Sequence, residues 1–259
     1  MTTDFSQGKV SKNIISQAIP MTLAQLVQLL YNIVDRIYIG HLPGADNMAL
    51  TGVGLTFPII TLVAAFTNLF GTGGTPLFSI ARGRHEDAHA EKIMGNVCAL
   101  LLGTSIVIFL FCYLFRRSVL DLFGASDASY QYADEYLRIY LLGTPFAMLT
   151  TGMNGFINAQ GFPGIGMLTT MIGAVLNLFL DPIFIFVLHM GVRGAALATV
   201  ISQTVSGIWV IHFLTGKKTL LRIKTTNLRV ERKLAVEIMT LGMSGFIVQA
   251  TNALVQIVC

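Results

Sequence analysis
Seven stretches of this 259-residue chain run for about twenty residues or more with hardly a charge: residues 14–39, 49–80, 93–115, 136–159, 162–190, 195–214 and 238–259. An α-helix rises about 1.5 Å per residue, so each is long enough to cross the hydrocarbon core of a bilayer. Backbone N–H and C=O groups find no partner in lipid, which leaves the helix as the form such runs can take. The whole chain is 12% charged, against about 25% for soluble domains, and its mean hydropathy is +0.70. The expected fold is therefore all-α and integral to the membrane.

Where the basic residues fall sets the expected orientation. Lys9 and Lys12 precede the first run, Arg82, Arg84 and Lys92 separate the second from the third, and Lys217, Lys218, Arg222, Lys224, Arg229, Arg232 and Lys233 lie in the connector 216–237. The alternate connectors hold at most Arg116, Arg117, Arg138 and Arg193. Basic segments stay on the cytoplasmic side, so the amino terminus is expected to be cytoplasmic. No basic stripe interleaves with aromatics, which argues against nucleic acid as a partner. Residues 238–259 end at Cys259 with no polar flank, and the chain is expected to be a fragment.

Carboxylates inside apolar runs are costly to bury and mark functional sites. Two occur here, Asp35 and Asp181. Asn177 and Asp181 are four residues apart and share a helical face, which Thr170 and Gly173 extend. On the following run Thr199, Ser202, Gln203 and Ser206 make a second polar stripe, and the short link between the two runs makes their helices neighbours. On the first run Gln25, Gln28, Asn32 and Asp35 recur at steps of three and four, and the fourth carries Asn154 and Asn158. Two carboxyls, an amide and a hydroxyl form an oxygen-rich set suited to a hard cation or a shared proton. The neutral members, taken singly, are equally what helix-to-helix hydrogen bonding uses.

Two other patterns carry less. His85-Glu86-Asp87-Ala88-His89 matches the HExxH signature of zinc proteases, but lies among Arg82, Arg84, Glu91 and Lys92 and reads as a solvated charge cluster. The glycine-rich stretch 71–74 lacks the GK[ST] of a phosphate loop and reads as helix packing. Cys98, Cys112 and Cys259 have no metal-ligand spacing.

Tyr31-Asn32-Ile33-Val34-Asp35-Arg36 with Ile39-Gly40, Ala81-Arg82-Gly83, Ile157-Asn158-Ala159-Gln160-Gly161, and Asn177-Leu178-Phe179-Leu180-Asp181-Pro182 together resemble the multidrug and toxic compound extrusion (MATE) family, prokaryotic branch. The resemblance implies a secondary antiporter of a bacterial or archaeal cytoplasmic membrane that expels small organic, often cationic, compounds or drugs in exchange for Na⁺ or H⁺. It implies a six-helix amino-terminal lobe, residues 1–215, followed by the basic connector and a seventh span. By motif it places the cation or proton site on Asp35, Asn177, Asp181 and Thr199; the polar residues of the spans, Gln25, Gln28, Asn32, Asn154, Asn158, Thr170, Ser202 and Gln203, are the expected lining of a pathway. No cofactor beyond the coupling ion is expected. The implied partners are the bilayer and either a carboxy-terminal lobe or a second copy of the chain. A short echo, Pro20-Met21-Thr22 against Gly242-Met243-Ser244, fits a parallel repeat beginning at the seventh span. The rival readings are a lipid-linked oligosaccharide flippase of the same superfamily, a non-transporting half-protein, and an intramembrane zinc protease using His85, Glu86 and His89.

Overall fold
The computed structural model describes residues 10–40 and 48–258, with the side chains of all of these except 10, 12, 32, 257 and 258. The connector after the first run, with His41 and Pro43, falls outside them. Among the described residues there are helices and no strands, as the apolar runs require. In order they are α1 (Val10–Gly40), α2 (Met48–Gly54), α3 (Phe57–Gly83), α4 (Asp87–Leu114), α5 (Arg116–Leu122), α6 (Asp127–Ala159), α7 (Pro163–Pro182), a π-helical turn (Ile183–Val187), α8 (Val192–Thr215), a 3₁₀ turn (Thr225–Leu228) and α9 (Arg232–Val258).

Helix ends follow local chemistry. Pro58 and Pro163 open α3 and α7 in the first turn, where a missing N–H costs nothing. Ser126 caps α6, its hydroxyl accepting from Ser129 N while Ser129 Oγ accepts from Ser126 N. Gly161 (φ +88°) and Gly191 (φ +58°) turn the chain from α6 into α7 and from the π turn into α8 in backbone conformations that side chains resist.

Several expected boundaries need correction. The second run keeps its extent as the stretch Met48–Gly83 and is interrupted at residues 55–56, as Pro58 leads one to expect, since it has no N–H to offer the Gly54 carbonyl. The fifth run departs from α-helix after Pro182. Helices α4, α6 and α9 begin at Asp87, Asp127 and Arg232, earlier than the apolar runs they contain, because charged first turns extend beyond the apolar segment. The connector between α8 and α9 is accordingly 216–231.

The elements gather around α6, which touches α2, α3, α4, α5, α7 and α8. The main core lies between α3, α4, α6, α8 and α9, and Phe78 and Phe156 meet edge-to-face at its centre with ring centroids 5.2 Å apart. Helix α9 runs along α3, and α1 packs chiefly on α7 while leaving Ile14, Leu26, Leu29, Leu30 and Ile33 exposed. An apolar outer face is what lipid contact demands. Among the described residues six helical stretches are long and apolar enough to span a membrane: Asn13–Gly40, Met48–Gly83, Asp87–Leu114, Pro163–Val187, Val192–Thr215 and Arg232–Gln256. Helix α6 is as long but more polar, since it carries Asp134, Glu135 and Arg138 at one end and Asn154 and Asn158 towards the other.

Candidate functional site
The polar stripes converge. A cavity of about 230 Å³ opens between α1, α6, α7 and α8. Gln25, Gln28 and Tyr31 line it from α1; Thr150, Thr151, Asn154, Gly155 and Asn158 from α6; Thr169, Thr170, Gly173, Ala174 and Asn177 from α7; Thr199, Ser202, Gln203 and Ser206 from α8. Its lining carries amides, hydroxyls and a phenol but no charged side chain. Every pathway residue expected from the sequence is on this wall except Asn32, whose side chain lies outside the described residues.

Hydrogen bonds across the walls hold the shape. Thr150 Oγ1 donates to Gln203 O at 3.3 Å, Ser206 Oγ to Thr169 O at 3.3 Å, and Asn154 Nδ2 to Gly166 O at 3.3 Å. The carbonyl oxygens of Asn154 and Asn158 and the hydroxyl of Ser202 are buried with no protein partner. Buried polar atoms that stay unpaired are costly, and a cavity lined with them is prepared for a guest or for water.

At one end of the cavity stand the two carboxylates. Asp181 is fully buried, and its Oδ1 accepts from Asn177 Nδ2 at 3.2 Å. The same amide nitrogen faces Thr199 Oγ1 at 3.4 Å, which ties α7 to α8. The Asp35 side chain reaches within hydrogen-bonding range of Asp181 from α1. Arg36 is stacked over Phe57, 4.8 Å from the ring centroid. Two ionised carboxyls in contact in a buried setting repel by several kcal/mol, so the pair needs a proton or cation between them. Asp35 Oδ1, Asp181 Oδ2 and Asn177 Oδ1 are buried oxygens without a protein partner, and an all-oxygen donor set of this kind fits a hard cation.

The sequence reading missed some neighbours. Tyr31 lies close to both aspartates, and the Tyr136 hydroxyl reaches Thr199. Tyr31 follows Gln28 by three residues, so the stripe on the first run could have been extended to it. Thr150 and Thr151 precede Asn154 by four and three residues, so the stripe on the fourth run could likewise have been extended to them, whereas Tyr136 belongs to no polar stripe.

His85, Glu86 and His89 do not share a helix. His85 sits in the turn after α3 with φ +61°, Glu86 is the residue before α4, and His89 is in the first turn of α4, all exposed. The spacing that makes HExxH a metal motif assumes one continuous helix.

The MatE family matches residues 20–183, which hold both aspartates and most of the cavity wall. The chain belongs to the MatE family. Among curated relatives, this MatE chain is 29% identical over 245 residues to the multidrug export protein MepA of Staphylococcus haemolyticus and 28% identical over 246 residues to that of Staphylococcus saprophyticus subsp. saprophyticus, covering 94% of this chain in each case. It spans 53% of their length. Among solved structures, it superposes with a TM-score of 0.86 and 28% identity on a multidrug resistance MATE family transporter of the MOP superfamily in an outward-facing conformation, covering 96% of this chain and 55% of that one. It matches a MOP superfamily transporter from Pyrococcus furiosus at a TM-score of 0.87 and 28% identity, covering 96% of this chain and 55% of that one. The chain is a multi-pass membrane protein of all-helical MATE architecture.

Proposed function
We propose that this chain is the amino-terminal lobe of a secondary antiporter that exports organic, often cationic, compounds in exchange for Na⁺ or H⁺. The observation that carries this reading is the meeting of Asp35 and Asp181 beside Asn177 and Thr199 at the end of an uncharged polar cavity. The names of the curated relatives, multidrug export proteins, support it.

The coupling ion occupies the carboxyl pair. When the pair is empty of cation and proton, its mutual repulsion drives α1 from α7; when it is filled, the two helices close. That gives the bundle two packings and lets ion binding bias one of them. The substrate is held in the amide-lined cavity, and the basic connector lies on the cytoplasmic side. The flippase reading fares worse, because a pyrophosphate-linked cargo calls for cations that the cavity lining lacks. The reading is of a transporter rather than an enzyme, with the rest of the transport path supplied by a carboxy-terminal lobe or a second copy.

The test is Asp181→Asn in the intact protein, followed by ethidium transport into inverted vesicles, the equivalent of efflux from the cell, under an imposed Na⁺ or H⁺ gradient. Ion-dependent efflux is expected to disappear while the amount of protein in the membrane stays normal. Full gradient-driven efflux in this variant overturns the reading.

A further inference from the structure
The segment between α8 and α9 has the composition of a loose loop, rich in Lys and Arg and without apolar periodicity. Its structure is that of a fastened strap. Gln160, 1% exposed at the end of α6, gives its amide oxygen to the segment: Oε1 accepts from Leu221 N at 2.9 Å and from Thr219 Oγ1 at 2.7 Å. Asn96, equally buried on α4, accepts from Glu231 N at 2.7 Å through Oδ1, immediately before α9 begins. Between these two anchors the Asn227 carbonyl lies against Gly95, so close that a Cβ there would come within 2.4 Å of it. Leu221 and Leu234 are buried in the main core, and the pairs Lys224–Glu91 and Lys92–Glu231 lie outside at 2.5 and 3.2 Å.

A strap fastened at both ends fixes where α9 starts, and α9 needs fixing. It lies along α3 with the backbones in contact: a Cβ on Gly73 would fall 2.0 Å from Ile238 O, and one on Gly242 would fall 1.8 Å from Leu69 O. Only glycine fits at that crossing. Yet small residues recur on both helices, at Gly71, Gly73 and Gly74 on one and at Gly242, Ser244 and Gly245 on the other. Sliding α9 by three residues would bring Gly245 to the place of Gly242. In a bilayer no hydrophobic force separates such registers, because lipid receives the displaced apolar side chains as readily as protein does. The pattern of small residues therefore leaves the register open.

We propose that Gln160 and Asn96 are positioning residues which fold the basic connector into a strap and thereby set the register of α9 on α3. The inference does not depend on what the protein transports.

The register is read at the far end of the pair, where Thr61 Oγ1 donates to Gln256 Oε1 at 3.0 Å. In the full-length protein with its native cysteines replaced by alanine, Thr61→Cys and Gln256→Cys are introduced and the rate of disulfide closure is measured. Tryptic cleavage of the connector is followed in parallel. Gln160→Leu together with Asn96→Leu is expected to slow closure and speed cleavage, each by about tenfold, since every lost acceptor strands a connector N–H. Gln160→Glu alone keeps an acceptor in place and is expected to retain the parent's closure rate. Unchanged closure in the double variant overturns the proposal, whether or not cleavage rises. Should the double variant fail to fold, two Gly-Ser pairs inserted between Leu228 and Arg229 lengthen the strap and leave both amides intact. Closure is then expected to slow, and an unchanged rate again overturns the proposal.

Discussion

Asn177 and Asp181 stand one helical turn apart on α7, and the Asn177 amide nitrogen donates to Asp181 Oδ1 at 3.2 Å while facing Thr199 Oγ1 at 3.4 Å. One amide thus commits one oxygen of the carboxylate and leaves the other, Oδ2, free of protein partners. The second oxygen is left without a hydrogen-bond donor from the protein, in the same buried setting as Asp35.

Replacing Asn177 by Leu removes both bonds and an available oxygen. Hydrogen bonds to charged groups contribute about 1.5–3 kcal/mol, so affinity for the coupling ion is expected to fall about tenfold or more. Isothermal titration of the purified protein with Na⁺, or proton uptake on acidification, measures the loss.

Thr199→Val keeps the shape of the side chain and deletes the hydroxyl. The neutral contact accounts for about 1 kcal/mol, which gives about a fivefold weakening of ion binding in the same titration. Thr199→Ser restores the oxygen and is expected to bind like the parent.

At the α3–α9 crossing, Gly242→Leu forces a side chain into the Leu69 carbonyl, which would meet even a Cβ at 1.8 Å. Backbone atoms cannot rotate away as a side chain can. A destabilisation of about 1–3 kcal/mol or more is expected, seen as a lower Tm in detergent. Gly54→Ala serves as the control, because a Cβ there meets nothing within 4 Å.

Asp134 is buried on α6 and pairs with Arg116 Nε at 2.7 Å and Arg138 Nη2 at 2.6 Å. Arg138 is half exposed, so water screens its share, and Arg116 carries more of the interaction. Asp134→Ala is expected to cost about 1–2 kcal/mol in thermal stability and to leave ion binding unchanged, the two carboxylates of the site being on other helices.

The site was legible because membrane helices make polarity rare. In a run of leucine and valine, Gln25, Gln28, Asn154, Asn158, Thr170, Ser202 and Gln203 stand out singly, and steps of three and four assign each to a face. The structure gathers all of them on one cavity. The helix ends were less legible, since the charged turns at Asp87, Asp127 and Arg232 look like connectors when apolar length is the criterion. The strap was not legible at all. Gln160 and Asn96 bind backbone groups far away in sequence, and no local period announces a contact between residues 160 and 221 or 96 and 231. The break at residues 55–56 was visible in Pro58, whose effect on the Gly54 carbonyl follows from its missing N–H.

The π-helical turn Ile183–Val187 begins two residues after Asp181, and Leu188 N closes it by donating to Ile183 O at 2.9 Å. Such a turn takes more residues per revolution than an α-helix, yet the step of four through Gly173, Asn177 and Asp181 is kept into it. What comes next on the inside is Ile185, four residues beyond Asp181, packed in one apolar cluster with Ile39, four residues beyond Asp35. Each carboxylate is thus followed by a buried isoleucine that stoppers the polar lane. Asp181 stands where the polar lane of α7 ends, and under the proposed function an ion bound there would leave along α7 past Asn177.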